Sequence, residues 1–323
     1  MNKIKVAIAG GTGYTAGELL RILVNHPDVE IGSVLSTTSA GQPVTSFHRD
    51  LLGETDLCFT DKLEAADVIF LCLGHGLSRE FIDTHKIDDD TRIIDLGNDF
   101  RLDADYGNRH FVYGLTDLYK EEIKGARYIA NPGCFATCIQ LATIPLAALQ
   151  MISDDVHVTA ITGSTGAGRK LSETSHFSYR NNNISIYKSF THQHLAEIEM
   201  TLSKLNGTAH QVNFVPMRGD FTRGIFASVY TKCDSSADEV NQIFKEYYKD
   251  SPFVFVSDDS INLKDVVNTN KCLLHVESHN GYIQITSIID NLLKGASGQA
   301  VENMNLMFGL DQTTALKLKA NLF

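Results

Sequence analysis

The chain has no excess of basic residues: 28 Lys and Arg stand against 39 Asp and Glu over 323 residues, a formal net charge of −11. A nucleic-acid binder carries a basic footprint, and none is present. No apolar run approaches the roughly 20 residues that a membrane-spanning helix needs, so no membrane partner is expected. Cysteine is sparse. Cys58, Cys72, Cys134, Cys138, Cys233 and Cys272 make no CxxC pair and no dense cluster, which argues against structural zinc and predicts a reducing, cytoplasmic compartment. Met1 to Ile8 already reads as a strand, so no signal peptide is expected ahead of the fold. Long linkers, low-complexity tracts and internal repeats are missing too. What remains is a chain with 43% hydrophobic residues, long enough for two domains of about 150 residues each.

Within it, Cys134 is the most telling residue. It lies in Asn131-Pro132-Gly133-Cys134-Phe135-Ala136-Thr137. A Pro-Gly pair predicts a turn, with proline fixing φ and glycine accepting the left-handed region. The apolar stretch from Phe135 to Leu149 reads as a buried helix. The cysteine then sits at a strand-to-helix corner, its sulfur near backbone N–H groups that favour the thiolate.

The chain opens with a strand over Lys3 to Ala9 and continues Gly10-Gly11-Thr12-Gly13-Tyr14-Thr15-Ala16-Gly17. Gly11-x-Gly13-x-x-Ala16 fits the dinucleotide pattern, as does the offset Gly10-x-x-Gly13. Small residues permit a tight turn and close approach of a pyrophosphate, so Gly10, Thr12, Gly13, Tyr14 and Thr15 are cofactor candidates. A helix over Glu18 to Asn25 is expected to face the phosphates with its N-terminus. The second strand, Glu30 to Leu35, ends in Ser36-Thr37-Thr38-Ser39-Ala40-Gly41. NAD sites usually place Asp or Glu here for the ribose 2′-OH. This loop has hydroxyls and no acid, so Ser36 and Ser39 point to NADP. Further strands at Val68–Leu73, Arg92–Leu96 and Tyr128–Ala130 alternate with helical segments and imply a parallel sheet with helices on both faces. Their tips carry Gly74-His75-Gly76 and Asp95-Leu96-Gly97-Asn98-Asp99-Phe100-Arg101, where ligands bind in such sheets. Arg101 reads either as an anion clamp or as a surface partner of Asp99 or Asp103.

From Val156 the pattern changes to strand-rich runs (Val156–Ile161, Asn213–Val215, Ile225–Tyr230, Cys272–Val276, Tyr282–Ile289) with helices near Gln193–Leu205 and Ala237–Tyr248. This suggests a mixed sheet with helices on one face, and a last helix over Gly295 to Phe308. Gly163 to Lys170 imitates a P-loop but has Arg169 where Lys should follow the last glycine, and Leu171 in place of Ser or Thr. It reads better as a glycine loop beside Cys134. His192-Gln193-His194-Leu195-Ala196-Glu197 puts His194 and Glu197 on one helix face, a base with an orienting carboxylate. A metal site needs a third ligand and a better spacing, and none is assigned.

These residues together resemble the N-acyl-γ-glutamyl-phosphate reductases of arginine biosynthesis, within the wider aspartate-semialdehyde dehydrogenase-like group. The likeness covers essentially the whole chain. It rests on Gly10–Gly17, Thr38–Gly41, Tyr113-Gly114-Leu115, Asn131–Cys134, Gly166–Arg169, His192-x-His194-x-x-Glu197 and the long run Asp290 to Ala300. Gly74, Asn98 and Ala196 depart from the family pattern, and none of these changes removes a reactive group.

The resemblance implies an α/β fold: a Rossmann-like parallel sheet domain (1–133 and 300–323) with a second α+β domain (134–299), the C-terminal helix returning to the first. It makes Cys134 the nucleophile and His194 the acid–base, with Glu197 behind it. Asn291 and Gly298 come near the nicotinamide of NADP, and Gly74 and His75 at their strand tip are further cofactor candidates. The substrate is an acyl phosphate, inorganic phosphate is released, and Arg101, Arg169, Lys170 and His192 are assigned to the substrate. Homotetramers or homodimers are the implied assembly. N-acetylglutamyl phosphate is the expected substrate; the N-succinyl compound, aspartyl phosphate and carrier-bound aminoadipyl phosphate are the alternatives. A catalytically silent NADP-sensing module is the remaining one, and Cys134 with His194 argues against it.

Overall fold

The structure, a computed structural model, describes residues 3–322, so the first two residues of the Met1–Ile8 strand lie outside it. The described residues up to Pro132, with Ala296–Lys317, form one compact unit; Gly133–Gly295, with the described residues after Lys317, form another. The divisions thus fall at 132/133, 295/296 and 317/318, where the resemblance implies 133/134 and 299/300 and keeps the end of the chain with the first unit.

In the first unit β1 (Ile4–Ala9), β2 (Val29–Leu35), β3 (Phe59–Thr60), β4 (Val68–Leu71), β5 (Arg92–Asp95), β6 (Asp105–Tyr106), β7 (Arg109–Tyr113) and β8 (Tyr128–Ala130) make an eight-stranded sheet, ordered 3-2-1-4-5-8-7-6. All neighbours are parallel except β6 and β7. Strand order reverses between β1 and β4, the switch point where such sheets bind ligands. The helices are α1 (Tyr14–Leu23), α2 (Ser78–Thr84) and α3 (Lys120–Gly125). Ala7, Ala9, Ile69, Leu71 and Ile93 pack with Phe81 and Ile82 of α2 on one face. Alternate residues Val6, Ile8, Phe70 and Ile94 are just as buried on the other, as a sheet covered twice requires. The sequence pattern misses β3 and β6, which are two residues each, and β7, in which Phe111 alone is buried.

The second unit begins with α4 (Cys134–Ala148), one residue ahead of the expected start, so the cysteine is the first helical residue. Phe135 to Ala147 are all buried; a helix apolar all round is a core helix. Its sheet contains β9 (Val156–Thr162), β10 (Ser185–Ile186), β11 (Val212–Arg218), β12 (Ile225–Lys232), β13 (Val254–Ser257), β14 (Cys272–His279) and β15 (Tyr282–Ile289), ordered 10-11-9-12-15-14-13 with mixed directions. Between the strands lie α5 (Phe177–Arg180), α6 (Leu195–Asn206) and α7 (Ala237–Tyr247). Helix α4 packs on β12 and β15 and meets α6 and α7, which cover β11 and the β13–β14 pair.

After β15 the expected last helix is two pieces: a π-helical turn over Leu293–Ser297 and then α8 (Gly298–Met307), which belongs to the first unit. Every residue of α8 is buried, and three of its polar side chains bond within the first unit. Asn305 bonds His26, Asn303 donates to the Gly114 carbonyl and to Asn131, and Glu302 accepts from Thr116 and Gln312. Buried polar groups are tolerable only when paired in this way. Among the described residues no helix is long and apolar enough to cross a membrane.

Candidate active site

In the first unit the glycine loop follows β1. Gly10 adopts φ +83°, and a Cβ there would stand 2.5 Å from the Cys72 carbonyl oxygen. Helix α1 then begins at Tyr14, four residues before the expected Glu18, because Gly13 is its N-cap. No side chain caps this end, and its first turn holds no acid; the exposed N–H groups suit an anion. A Cβ on Gly13 would meet nothing closer than 3.6 Å, so the approach is open. His48, which sequence reasoning missed, bonds the Gly11 carbonyl oxygen through Nε2 at 2.7 Å and fills the space beside Gly17. Ser297 of the π-turn, just ahead of Gly298, donates to the Thr15 carbonyl at 2.8 Å. In the loop after β2, Ser36 is half-buried and Ser39 buried, while Thr37 and Thr38 are exposed.

The next strand tips are clamped together. Asp99 accepts from the backbone N–H groups of Gly76, Ser78 and Arg79 at 2.7, 3.0 and 3.2 Å. Arg79 in turn pairs with Asp103 at 2.6 Å. Gly74 and His75 are exposed on this loop. Asp95 is fully buried, accepts from Ser78 Oγ at 2.6 Å and Gly97 N–H at 2.9 Å, and is pushed up to about 6 mainly by burial. Arg101 is not a surface partner of Asp99 or Asp103. It is buried, donating from Nε to the Asn131 carbonyl at 2.9 Å and from Nη2 to the Leu96 carbonyl at 3.1 Å. That guanidinium braces one strand tip against the next, beside the segment leading to Cys134.

In the second unit Cys134 is half-exposed at the first position of α4. Gly133 has φ −70° and ψ 149°, an extended residue, so the expected left-handed glycine is corrected. Its identity has another cause: a Cβ there would run into the His194 ring. The imidazole therefore lies against the residue before the cysteine. Helix α6 starts at Leu195, which leaves His192 and His194 in the turn before it. Glu197 is buried in the first turn of α6, and its Oε2 accepts the Gly133 N–H at 3.0 Å. The carboxylate thus ties α6 to the nucleophile's turn. Gly295 of the π-turn closes the other side, where a Cβ would stand 2.8 Å from Cys134 Cβ.

Two other cysteines are poorly placed for chemistry. Burial pushes Cys138, one turn on in α4, well above the usual thiol range, and takes Cys72 up to about 12. His192 is pushed down to about 4, first by burial and then by the charges of Lys188 and Arg218, so it is neutral at pH 7. Its ring lies 4.6 Å from that of His194 and 5.8 Å from Tyr187.

Asn291 uses both ends of its amide within the second unit, accepting from Gly224 N–H at 2.7 Å and donating to Thr165 Oγ1 at 3.0 Å. The Gly163–Gly168 loop pairs its Ser164 and Thr165 N–H groups with the Phe221 and Thr222 carbonyls, which removes the donors a P-loop would offer. Arg169 and Lys170 are exposed on the loop that follows. The cations that act on His192 are Lys188 and Arg218; a strand-end arginine before Gly219 was the only signal for the latter.

Comparison with known proteins agrees with this geometry. Residues 5–126 match a family model described as semialdehyde dehydrogenase, NAD binding domain, and residues 134–291 one described as semialdehyde dehydrogenase, dimerisation domain. The chain is 55% identical to the N-acetyl-gamma-glutamyl-phosphate reductase of Flavobacterium johnsoniae and 53% identical to that of Parabacteroides distasonis. Both alignments cover 99% of this chain and 100% of the relative. Its fold is similar to that of aspartate semialdehyde dehydrogenase II from Vibrio cholerae (TM-score 0.72, 16% identity, 96% of this chain and 99% of that one). It is likewise similar to the Candida albicans enzyme solved with NADP (TM-score 0.71, 15% identity, 95% and 99%). The first unit is accordingly a nicotinamide-cofactor domain, and the chain belongs to the N-acetyl-gamma-glutamyl-phosphate reductase family of semialdehyde dehydrogenases.

Proposed function

We propose that this protein reduces N-acetyl-L-glutamyl 5-phosphate to N-acetyl-L-glutamate 5-semialdehyde through a thioester on Cys134, a step of arginine biosynthesis. The observation that carries the reading is the cysteine at the first position of α4 with the His194 imidazole packed on the adjoining Gly133. The Cys134 thiolate attacks the acyl carbon, phosphate leaves, and a thioester remains. Helix N–H groups beside the sulfur stabilise the oxyanion formed on the way. Gly10, Thr12, Gly13, Tyr14 and Thr15 hold the dinucleotide phosphates at the uncapped N-terminus of α1, and the bound nicotinamide supplies a hydride. His194 protonates the oxygen of the reduced adduct and takes the proton back as the carbon–sulfur bond breaks, which frees the aldehyde and the thiolate. Glu197 holds the turn that carries the cysteine.

NADP is the proposed cofactor, since Ser36 to Gly41 offers hydroxyls and no carboxylate to a 2′-phosphate. Ser36→Asp should weaken NADP selectively in kcat/KM, whereas a wild-type preference for NAD would refute this part. The proposed domain roles are cofactor binding for the first unit and catalysis with oligomer formation for the second. A homodimer or homotetramer in the cytoplasm is the proposed state. The second sheet supports the oligomer: Tyr230, Phe255 and Tyr282 stand exposed on it.

The test is phosphate-dependent NADP reduction with N-acetylglutamate, N-succinylglutamate and aspartate semialdehydes. The N-acetyl compound should have the highest kcat/KM. A higher value for either of the others moves the protein to that substrate, and no turnover with any overturns the reading.

A further inference from the structure

Arg218 closes β11, paired across to Ser185 of β10. Its carbonyl accepts from Arg180 Nη1 at 2.7 Å, so its backbone is pinned. Its guanidinium carbon lies 4.8 Å from the centre of the Tyr187 ring, a stacking arrangement that suits arginine and not lysine. Other arginines of this unit are committed. Arg180 donates to carbonyls and a hydroxyl, and Arg223 forms a fork on Asp290 at 3.0 and 3.1 Å. Arg218 differs. Its Nη1 reaches Thr174 Oγ1 at 3.4 Å and its guanidinium also bonds the Tyr187 side chain, but its Nε is buried without a partner, and among the described residues no carboxylate pairs with it. A buried guanidinium N–H with no acceptor is costly to leave so, and an acceptor is expected from outside the chain.

The position says which acceptor. From Arg218 a line of rings leads through Tyr187 to His192 and His194, and His194 rests on Gly133 beside the nucleophile. Arg218 is therefore joined to the nucleophile's turn through the rings of Tyr187, His192 and His194. Tyr187 feels both ends: burial takes it up to about 12, the Cys134 charge adds to this, and Arg218 opposes it. The phosphoryl group of the substrate is bonded to the carbon that the sulfur attacks, so it belongs with the helix N–H groups at Cys134. The substrate's carboxylate is three carbons away from the reacting one. It is planar, and it matches a guanidinium fork.

We infer that Arg218, backed by the Tyr187 ring and by the nearby charge of Lys188, grips the carboxylate of the acyl-phosphate substrate and so selects acidic substrates. Lys188 stands exposed with its Nζ 3.1 Å from Gln193 Oε1 and adds field, not a fixed fork. The inference rests on the reaction proposed above.

The test runs the reaction from the aldehyde side with phosphate and NADP. It compares N-acetylglutamate semialdehyde with 4-acetamidobutanal, the same aldehyde without its carboxylate, in wild type, Arg218→Met and Arg218→Lys. In Arg218→Met, kcat/KM for the acidic aldehyde should fall about 100-fold, chiefly through KM, the scale of losing one partner of a desolvated charge pair. The value for the neutral aldehyde and the KM for phosphate should stay within about twofold, and Arg218→Lys should recover part of the loss. An equal fall for both aldehydes would show Arg218 to be structural, and a rise in the KM for phosphate alone would show it to bind the phosphoryl group; either overturns the inference. Should wild type prefer aspartate semialdehyde, the proposed substrate falls. Arg218 is then judged separately, by the same comparison between that aldehyde and propanal with its amino and carboxylate groups supplied one at a time.

Discussion

Gly10 in the first unit and Gly133 in the second each stand where a strand gives way to a helix. At Gly10 φ is +83°, so the backbone itself calls for glycine, and the Cys72 carbonyl leaves no room for a Cβ. At Gly133 φ is −70°, which any residue adopts, and only the ring of His194, some sixty positions on in the chain, forbids a side chain. The cofactor end is thus a device of the main chain: a tight turn, an uncapped helix and a small set of small residues. The cysteine end is a device of groups gathered from distant positions: His194 just before α6, Glu197 in its first turn and Gly295 of the π-turn. Mutations at the first should act through cofactor binding, and those at the second through chemistry.

The sharpest test is Cys134→Ser. Turnover should fall by about 10⁴-fold or more, the scale seen when a nucleophile is removed, while NADP binding by calorimetry stays as in wild type. Alkylating reagents should label Cys134 ahead of the buried cysteines. Weakened cofactor binding in this variant would blur the division between the two ends.

His194→Ala should lower kcat by roughly 10² to 10⁴. His192→Ala should cost less, because a ring held down at about 4 has no proton to give at pH 7. Equal losses in the two variants would mean that the acid–base has been misassigned.

Gly133→Ala and Gly10→Ala set the two causes against each other. The first should lower kcat by about 10²-fold, as a displacement near 1 Å does, with little change in cofactor affinity. The second forces alanine into the left-handed region at about 1–2 kcal/mol and should weaken cofactor binding with kcat at saturation largely kept. A loss of cofactor affinity in Gly133→Ala would break the comparison.

The smallest effect concerns pH. His192 holds its proton less tightly in the folded chain, at about 4, than an ordinary histidine near 6.5. As pH falls through that window the unfolded chain takes up a proton that the folded one refuses, so stability is lost. His192→Gln should flatten the decline of Tm between pH 6.5 and 4, and an unchanged slope would show that other groups carry it.

Much of this protein was legible in local pattern. The run from β1 into the glycine loop, the strand-tip residues around Asp99, the buried helix after Cys134 and the His192-x-His194-x-x-Glu197 spacing all follow from turn chemistry and periodicity, which act over a few residues. The two-unit α/β architecture follows from the change in strand pattern near Val156, and the return of the last helix from likeness to a family. Other features were decided by tertiary structure. Arg101 became a buried brace because two strand tips lie side by side, and Asn291 became a tie between loops because Gly224 and Thr165 come to it. Glu197 meets the Gly133 N–H instead of showing its helix-face partner alone. Arg218 faces Tyr187 because β10 pairs with the end of β11. None of these has a signal within its own few residues, since what a side chain touches across a sheet or between loops depends on register and packing, and those are set only when the whole chain folds.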